Sequence, residues 1–212
     1  MDSHLLRFNI KNQKYIIWDL ETESLNLCFA NRPWQCSMIL CEGHNILEKY
    51  DLFPLWEDIK LSSDAARITR FDKLSYISKS SDSLKCLDII DSYLYDKDVM
   101  NVGHNILGFD VYVHNIWRKA LGKKSDFSYI DRSIDTNCLA KAYRLQEKPD
   151  ISNKKAWQYR MNSFHEKGIK TSLSAMCKEF NIDYNANEAH DGMYDCIRNR
   201  DIFIKLINSV EI

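Results

Sequence analysis

The chain changes its hydrophobic rhythm part way along. Residues 15–20 form a near-unbroken apolar run, and residues 34–41 and 46–53 form two more, the last pair separated by the turn-like EGHN. Short apolar runs of this kind predict strands, and a turn this short joins antiparallel neighbours. The polar stretches SSDAARITR and SKSSDS then flank a segment of little periodicity that reads as surface connection. From residue 83 the spacing becomes helical: Leu84, Leu87, Ile90 and Leu94 recur behind Asp82, a fitting N-cap. DVMNVGHN reads as a short buried strand, followed by a helix over about residues 109–121 that Gly122 stops. YIDRSIDT carries a weaker strand signal and leads into the helical NCLAKAYRL. KKAWQYRMNSFHEK, residues 172–180 and residues 193–209 complete the helices, and no internal repeat is visible.

Three strands followed by alternating helices and strands predict an α/β fold with a mixed central sheet of about five strands flanked by helices. Short turns make the early strands antiparallel, and helical crossovers make the later ones parallel. The first strand is expected at the centre, and in open α/β sheets sites gather at the carboxyl ends of strands. With 212 residues, 45% of them hydrophobic, the chain can bury a sizeable core as one domain.

Composition narrows the class. MDSHLLRFNIKNQ has an acid at residue 2 and no long apolar run, unlike a secretory signal or transit peptide. No later stretch reaches membrane-spanning length, so a soluble, cytoplasmic protein without a membrane partner is expected. The seven cysteines (28, 36, 41, 86, 138, 177 and 196) include no C-x-x-C pair. They read as buried thiols in a reducing compartment rather than as disulfides or a zinc knuckle.

A net charge of −1 gives no global footprint of nucleic-acid binding, but the charge is uneven. Residues 111–125 contain no acid and four cations, Arg118, Lys119, Lys123 and Lys124. Residues 141–170 carry eight Lys or Arg against three acids, with Tyr143, Trp157, Tyr159 and Phe164 among them. Cations track phosphates and rings stack on bases, which makes this stretch a candidate strand-binding rim with Lys154, Lys155 and Arg160 as its contacts. A solvated helix face with a few core aromatics fits the same pattern.

The run YIIW ends in two acids, Asp19 and Glu21, which alternation along a strand aims at the same face. Two carboxylates so close repel, and one protonates unless a cation lies between them. Alone the pair is weak evidence, since 30 acids in 212 residues yield roughly four such pairs by chance. Asp110 follows a strand, in the first turn of a helix beside Phe109, where an acid also complements the helix dipole. His190 and Asp195 would stand about 140° apart on a continuous helix. A helix that starts near Gly192 instead puts Asp195 on its first turns and leaves His190 on the preceding loop, free to approach the same point.

In order and spacing these residues resemble the DnaQ-like (DEDDh) 3′ to 5′ exonucleases of the ribonuclease H-like superfamily. DLETESL resembles the first motif, D-x-E-T followed by a small residue and Leu; GHNILGFD resembles the second, H-N-x-x-x-F-D; HDGMYD resembles the third, H-x-x-x-x-D. The likeness runs from about residue 15 to residue 206, with SIDT and SLSAMCKEFNI where members have a strand and a helix. Ser24 stands where members often have Gly, and Gly192 where they often have Ala. Residues 146–170 read as a basic insertion within a single exonuclease domain covering 1–212.

The resemblance implies a ribonuclease H-like fold and a metal-dependent exonuclease that releases 5′-mononucleotides from single-stranded DNA ends, in proofreading or in DNA degradation and repair. An enzyme trimming RNA ends is the alternative within the class. A catalytically silent nucleic-acid- or polymerase-binding module is the alternative outside it, and the intact acids and His190 argue against that module. Two divalent ions, Mg²⁺ or Mn²⁺, are implied, hard cations suited to carboxylate oxygens. Asp19, Glu21 and Asp195 would hold the ion that activates water, with Asp19 bridging to a second ion that Asp110 reaches partly through water. His190 would take the proton from the attacking water. Thr22, by its backbone, and Leu25, as an apolar wedge, would meet the terminal nucleotide, with Asn105 and Phe109 in support. Single-stranded 3′ ends are the implied partner; a DNA polymerase and a homodimer are both compatible.

Overall fold

A computed structural model describes residues 12–28 and 30–210. The leader expectation drawn from the first residues therefore lies mostly outside the described residues. Five strands form one sheet of order β3-β2-β1-β4-β5: β1 (Lys14–Thr22), β2 (Pro33–Glu42), β3 (Asn45–Leu52), β4 (Val99–Gly103) and β5 (Ser133–Asp135). β1 pairs antiparallel with β2 and parallel with β4, so the mixed sheet pivots about β1 as expected. β2 and β3 are antiparallel, and β4 and β5 parallel.

The unbroken apolar run of β1 follows from burial on both faces. Ile16, Trp18 and Leu20 pack toward α3 (Ser83–Leu94) and α4 (Asp110–Ala120), among Leu87, Ile90, Val111 and Trp117. Tyr15 and Ile17 point the other way, toward α5 (Thr136–Leu145), α6 (Lys154–Ser163), α7 (Leu173–Glu179) and α8 (Gly192–Ser209). Asp19 and Glu21 share this second parity. The strand therefore aims both acids at the layer that carries α8.

One expectation is corrected. Residues 63–79 are not irregular connection but two short helices, α1 (Ser63–Thr69) and α2 (Lys73–Lys79). Ser62 caps the first by accepting from the Ala65 N–H at 3.2 Å, and Asp72 caps the second by accepting from the Ser75 N–H at 2.7 Å. Seven residues make barely two turns, too few for a periodic stripe, so the caps were the legible signal. α2 is anchored by Tyr76, whose hydroxyl accepts from the Trp56 N–H and donates to the Pro54 carbonyl.

The 146–170 segment is bound into the core. α6 buries Trp157 and Met161, and the Gln158 amide bridges β5: its oxygen accepts from the Asp135 N–H at 2.8 Å and its nitrogen donates to the Ser133 carbonyl at 3.1 Å. Among the described residues no helix is long and apolar enough to cross a membrane. Six of the seven cysteines are buried free thiols, and Cys28 is exposed.

Candidate active site

The carboxylates come together at the end of β1. Asp19 and Glu21 lie near its C-terminal end, opposite Ser37 and Gln35 of β2, just before the register shifts between Glu21 and Thr22. Asp110 begins α4 and reaches across, its Oδ1 accepting from the Leu20 N–H at 3.1 Å. That bond ties the start of α4 to the strand between the two acids. Asp195 lies in the first turn of α8, whose N-cap Asp191 accepts from the Tyr194 N–H at 3.0 Å.

Two glycines permit these approaches. A Cβ on Gly103 would stand 2.0 Å from Ile106 Cγ2 and 3.0 Å from the Trp18 carbonyl, so only glycine lets the 104–109 turn fold against β1. A Cβ on Gly192 would stand 2.6 Å from Ser37 Oγ. Glycine at that position seats the start of α8 on β2.

His190 sits on the loop before α8 with a left-handed backbone, φ 63°, and its N–H donates to Asp195 Oδ2 at 3.1 Å. Ligand atoms of Glu21, His190 and Asp195 all lie within 4.8 Å of one another. The loop start is tethered from a distance: the Arg70 guanidinium, at the end of α1, donates to the carbonyls of Asn187 and Ala186.

The electrostatics are those of an uncompensated cluster. Burial pushes Asp19 up to about 6, and burial followed by the Asp19 charge pushes Asp195 up to about 7. Glu21, only 9% exposed, is driven well above the usual carboxylate range by burial and then by Asp19, Asp195 and Asp110. Asp110 is raised well above its usual value by burial and by Asp19, against the Leu20 N–H that favours its charge. His190 is lowered, by burial first and then by the Arg70 charge. Asp195 Oδ1 is buried without a hydrogen-bond partner. Hard oxygen donors that repel one another, one of them orphaned, fit a divalent cation of the Mg²⁺ or Mn²⁺ type and would not suit a soft, thiolate-preferring metal.

The other expected residues divide by location. Thr22 is buried, its Oγ1 donating to the Ser24 carbonyl at 2.7 Å, while Leu25 is 51% exposed on the following loop. Asn105 lines the cavity over the acids, and Phe109, half-buried, packs against the α3–α4 core. Lys154, Lys155 and Arg160 lie on α6, outside that cavity. The Lys154 ammonium is buried without a partner, Lys155 pairs with Asp131 at 2.7 Å, and Arg160 pairs with Glu147 at 2.5 Å.

The structure adds residues that sequence reasoning missed. Asp135, fully buried at the end of β5, accepts from the N–H groups of Asn105, Leu107 and Asn137 and so scaffolds the turn leading to Asp110. An acid closing an apolar strand just before a helix was its available signal. His104, the first residue of the second motif and so already singled out in the sequence, is pushed down to about 4 by burial and contacts Thr136 Oγ1 at 3.0 Å, and Thr136 donates to Asn199 of α8 at 2.7 Å. Arg70 had no local signal, because its role depends on a contact more than a hundred residues away in sequence.

Fold and site together define an α/β protein with a five-stranded mixed sheet and an acid cluster at the end of its central strand, and the ribonuclease H-like fold expected from the motifs is borne out. Structural comparison gives the particular likenesses. E. coli exonuclease I in complex with a dT13 oligonucleotide matches with a TM-score of 0.71 at 17% identity, over 94% of this chain and 42% of that one. A product-bound exonuclease I matches with a TM-score of 0.69 at 16% identity, over 94% and 44%. In sequence, the chain is 25% identical over 204 residues to a PolC-type DNA polymerase III of Ureaplasma parvum serovar 3, covering 95% of this chain and 12% of that protein. The chain thus spans less than half the length of each. No family model matches it.

Proposed function

We propose that the protein is a metal-dependent 3′ to 5′ exonuclease that releases 5′-mononucleotides from single-stranded DNA. The observation that carries this reading is the convergence of Asp19, Glu21, Asp110 and Asp195, from three separate elements, on one strand end beside His190. Oligonucleotide and product in the exonuclease I structures support the same substrate class. The name of the Ureaplasma relative supports a setting alongside a polymerase.

Asp19, Glu21 and Asp195 would hold one divalent ion, and Asp19 with Asp110 a second. Such a pair supplies a nucleophilic oxygen at neutral pH and relief of charge on the leaving oxygen. The protein's own residues do the rest. His190, kept neutral by partial burial and by Arg70, accepts the proton of the attacking water on an imidazole nitrogen. The left-handed backbone at His190 aims its N–H at Asp195, which fixes the loop against the acid it works beside. The buried Thr22 backbone and the exposed Leu25 side chain receive the terminal nucleotide, and Asn105 and Phe109 hold the wall behind the acids.

An RNA-trimming activity is the second reading, since the same acid cluster serves either sugar and the 2′-OH is sensed by separate contacts. Matched labelled DNA and RNA oligonucleotides, single- and double-stranded, digested with Mg²⁺ and with EDTA, test both. Loss of nucleotides from the 3′ end of single-stranded DNA in Mg²⁺ alone is expected. Faster digestion of the RNA would transfer the proposal to the second reading.

A further inference from the structure

The basic segment 141–170 was expected to meet nucleic acid through α6, yet most of its cations are already engaged. The Lys141 ammonium is buried and donates to three carbonyls, those of Met161, Asn162 and Phe164, at 2.8–2.9 Å. Arg144 pairs with Glu179, Lys155 with Asp131 and Arg160 with Glu147. Of the rest, three carry no ion pair among the described residues: Lys154 is buried on α6, whereas Lys167 and Lys170 are exposed. Lys167 also lines a cavity of about 790 Å³ that it shares with Asp19, His190 and Asp195.

Phe164, His165, Glu166 and Ile169 line that same cavity. Phe164 is 37% exposed, and His165 and Lys167 are exposed. The Lys141 clamp ends α6 and holds this lip against α5. A turn closes it, with the Ile169 N–H donating to the Glu166 carbonyl at 3.3 Å and Gly168 at φ 101°. One continuous cavity is therefore lined both by carboxylates and by an aromatic ring with two basic groups.

We propose that residues 164–167 form the subsite for the nucleotides just upstream of the 3′-terminal one, on a single strand whose end lies at the acids. This rests on the exonuclease reading. The occupant follows from continuity and charge: a strand cut at the acids must leave the cavity, and its phosphates need cations that no protein carboxylate has taken. Lys167 takes a phosphate by charge, His165 offers a ring N–H to the next, Phe164 stacks on a base, and Glu166 limits affinity.

The test is fluorescence anisotropy of a labelled oligothymidylate of roughly a dozen nucleotides in EDTA, where binding is read without cleavage, repeated across a salt series. Phe164→Ala weakens binding roughly tenfold. Lys167→Ala lowers the salt slope by roughly 0.7, the value of one single-strand phosphate contact. Glu166→Gln tightens binding. The mononucleotide dTMP, the occupant expected at the acids alone, competes equally well with wild type and with the lip variants. The competing arm is Lys155→Ala with Arg160→Ala. If that pair lowers the slope while the Lys167→Ala and His165→Ala variants leave it unchanged, the subsite is on α6 and the proposal fails. A protein that binds through the lip yet releases no nucleotide in Mg²⁺ would instead overturn the catalytic reading and leave the lip standing.

Discussion

Replacing Asp19 by asparagine should change the sign of its effect on stability when a divalent ion is added. In the metal-free protein Asp19 is a buried acid among acids, and its folded pKa of about 6 lies above the ordinary value of 3.8. The sign follows directly. Below pH 3.8 the acid is protonated in both folded and unfolded chains and costs nothing. Between 3.8 and 6 the unfolded chain releases its proton first, so stability falls as pH rises, and above 6 the full cost is present. Two pKa units at about 1.4 kcal/mol each give about 3 kcal/mol at pH 8, a ceiling because part of Asp19 is exposed. An asparagine side chain has no such proton to release. In EDTA at pH 8 the Asp19→Asn protein should therefore be the more stable of the two, by up to about 3 kcal/mol, with the gap vanishing near pH 4.

A saturating divalent ion reverses the order. An ion that binds only the folded wild type, held at about one thousand times its dissociation constant, adds about 4.1 kcal/mol and so exceeds the cost of up to about 3 kcal/mol. The asparagine variant, lacking the shared ligand, gains little. Urea unfolding followed by the fluorescence of the five tryptophans, Trp18 lying in β1 itself, reads all four conditions. A wild type more stable than the variant in EDTA at pH 8, with no dependence of the gap on pH, would refute the reasoning.

Arg70→Ala should lower kcat about tenfold while KM and the urea midpoint stay near wild type, because the guanidinium holds the His190 loop through the Asn187 and Ala186 carbonyls. Arg70→Lys should recover part of the loss, and hydrogen exchange at 185–191 should rise in the alanine variant whether or not activity is measured. Gly103→Ala should cost about 1–3 kcal/mol in urea unfolding, since its Cβ has no room beside Ile106 and the Trp18 carbonyl. An Ile106→Ala companion substitution should relieve part of that cost.

Much of the architecture was legible because β1 announces itself. A strand covered on both faces reads as continuous hydrophobicity, and its two terminal acids break that rule at the functional end. Asp110 and Asp195 were legible for a different reason, through the spacing of H-N-x-x-x-F-D and H-x-x-x-x-D, since an acid in the first turn of a helix is unremarkable alone. What sequence could not supply was pairing. Lys154, Lys155 and Arg160 look alike as cations, yet the structure buries one and pairs the others with Asp131 and Glu147. Partners far apart in the chain leave no periodic trace. The same holds for Arg70, and for Asp135, whose three backbone donors come from two different segments. α1 and α2 escaped because seven residues cannot carry a stripe, although Ser62 and Asp72 were in place to cap them.

The central claim is that these carboxylates form a cradle for divalent cations. Anomalous diffraction from crystals soaked in Mn²⁺ measures this without reference to activity. The expected result is manganese density bounded by Asp19, Glu21, Asp110 and Asp195, with Asp195 Oδ1 among the ligands. Crystals that take up manganese elsewhere while these oxygens diverge with no density between them would contradict it.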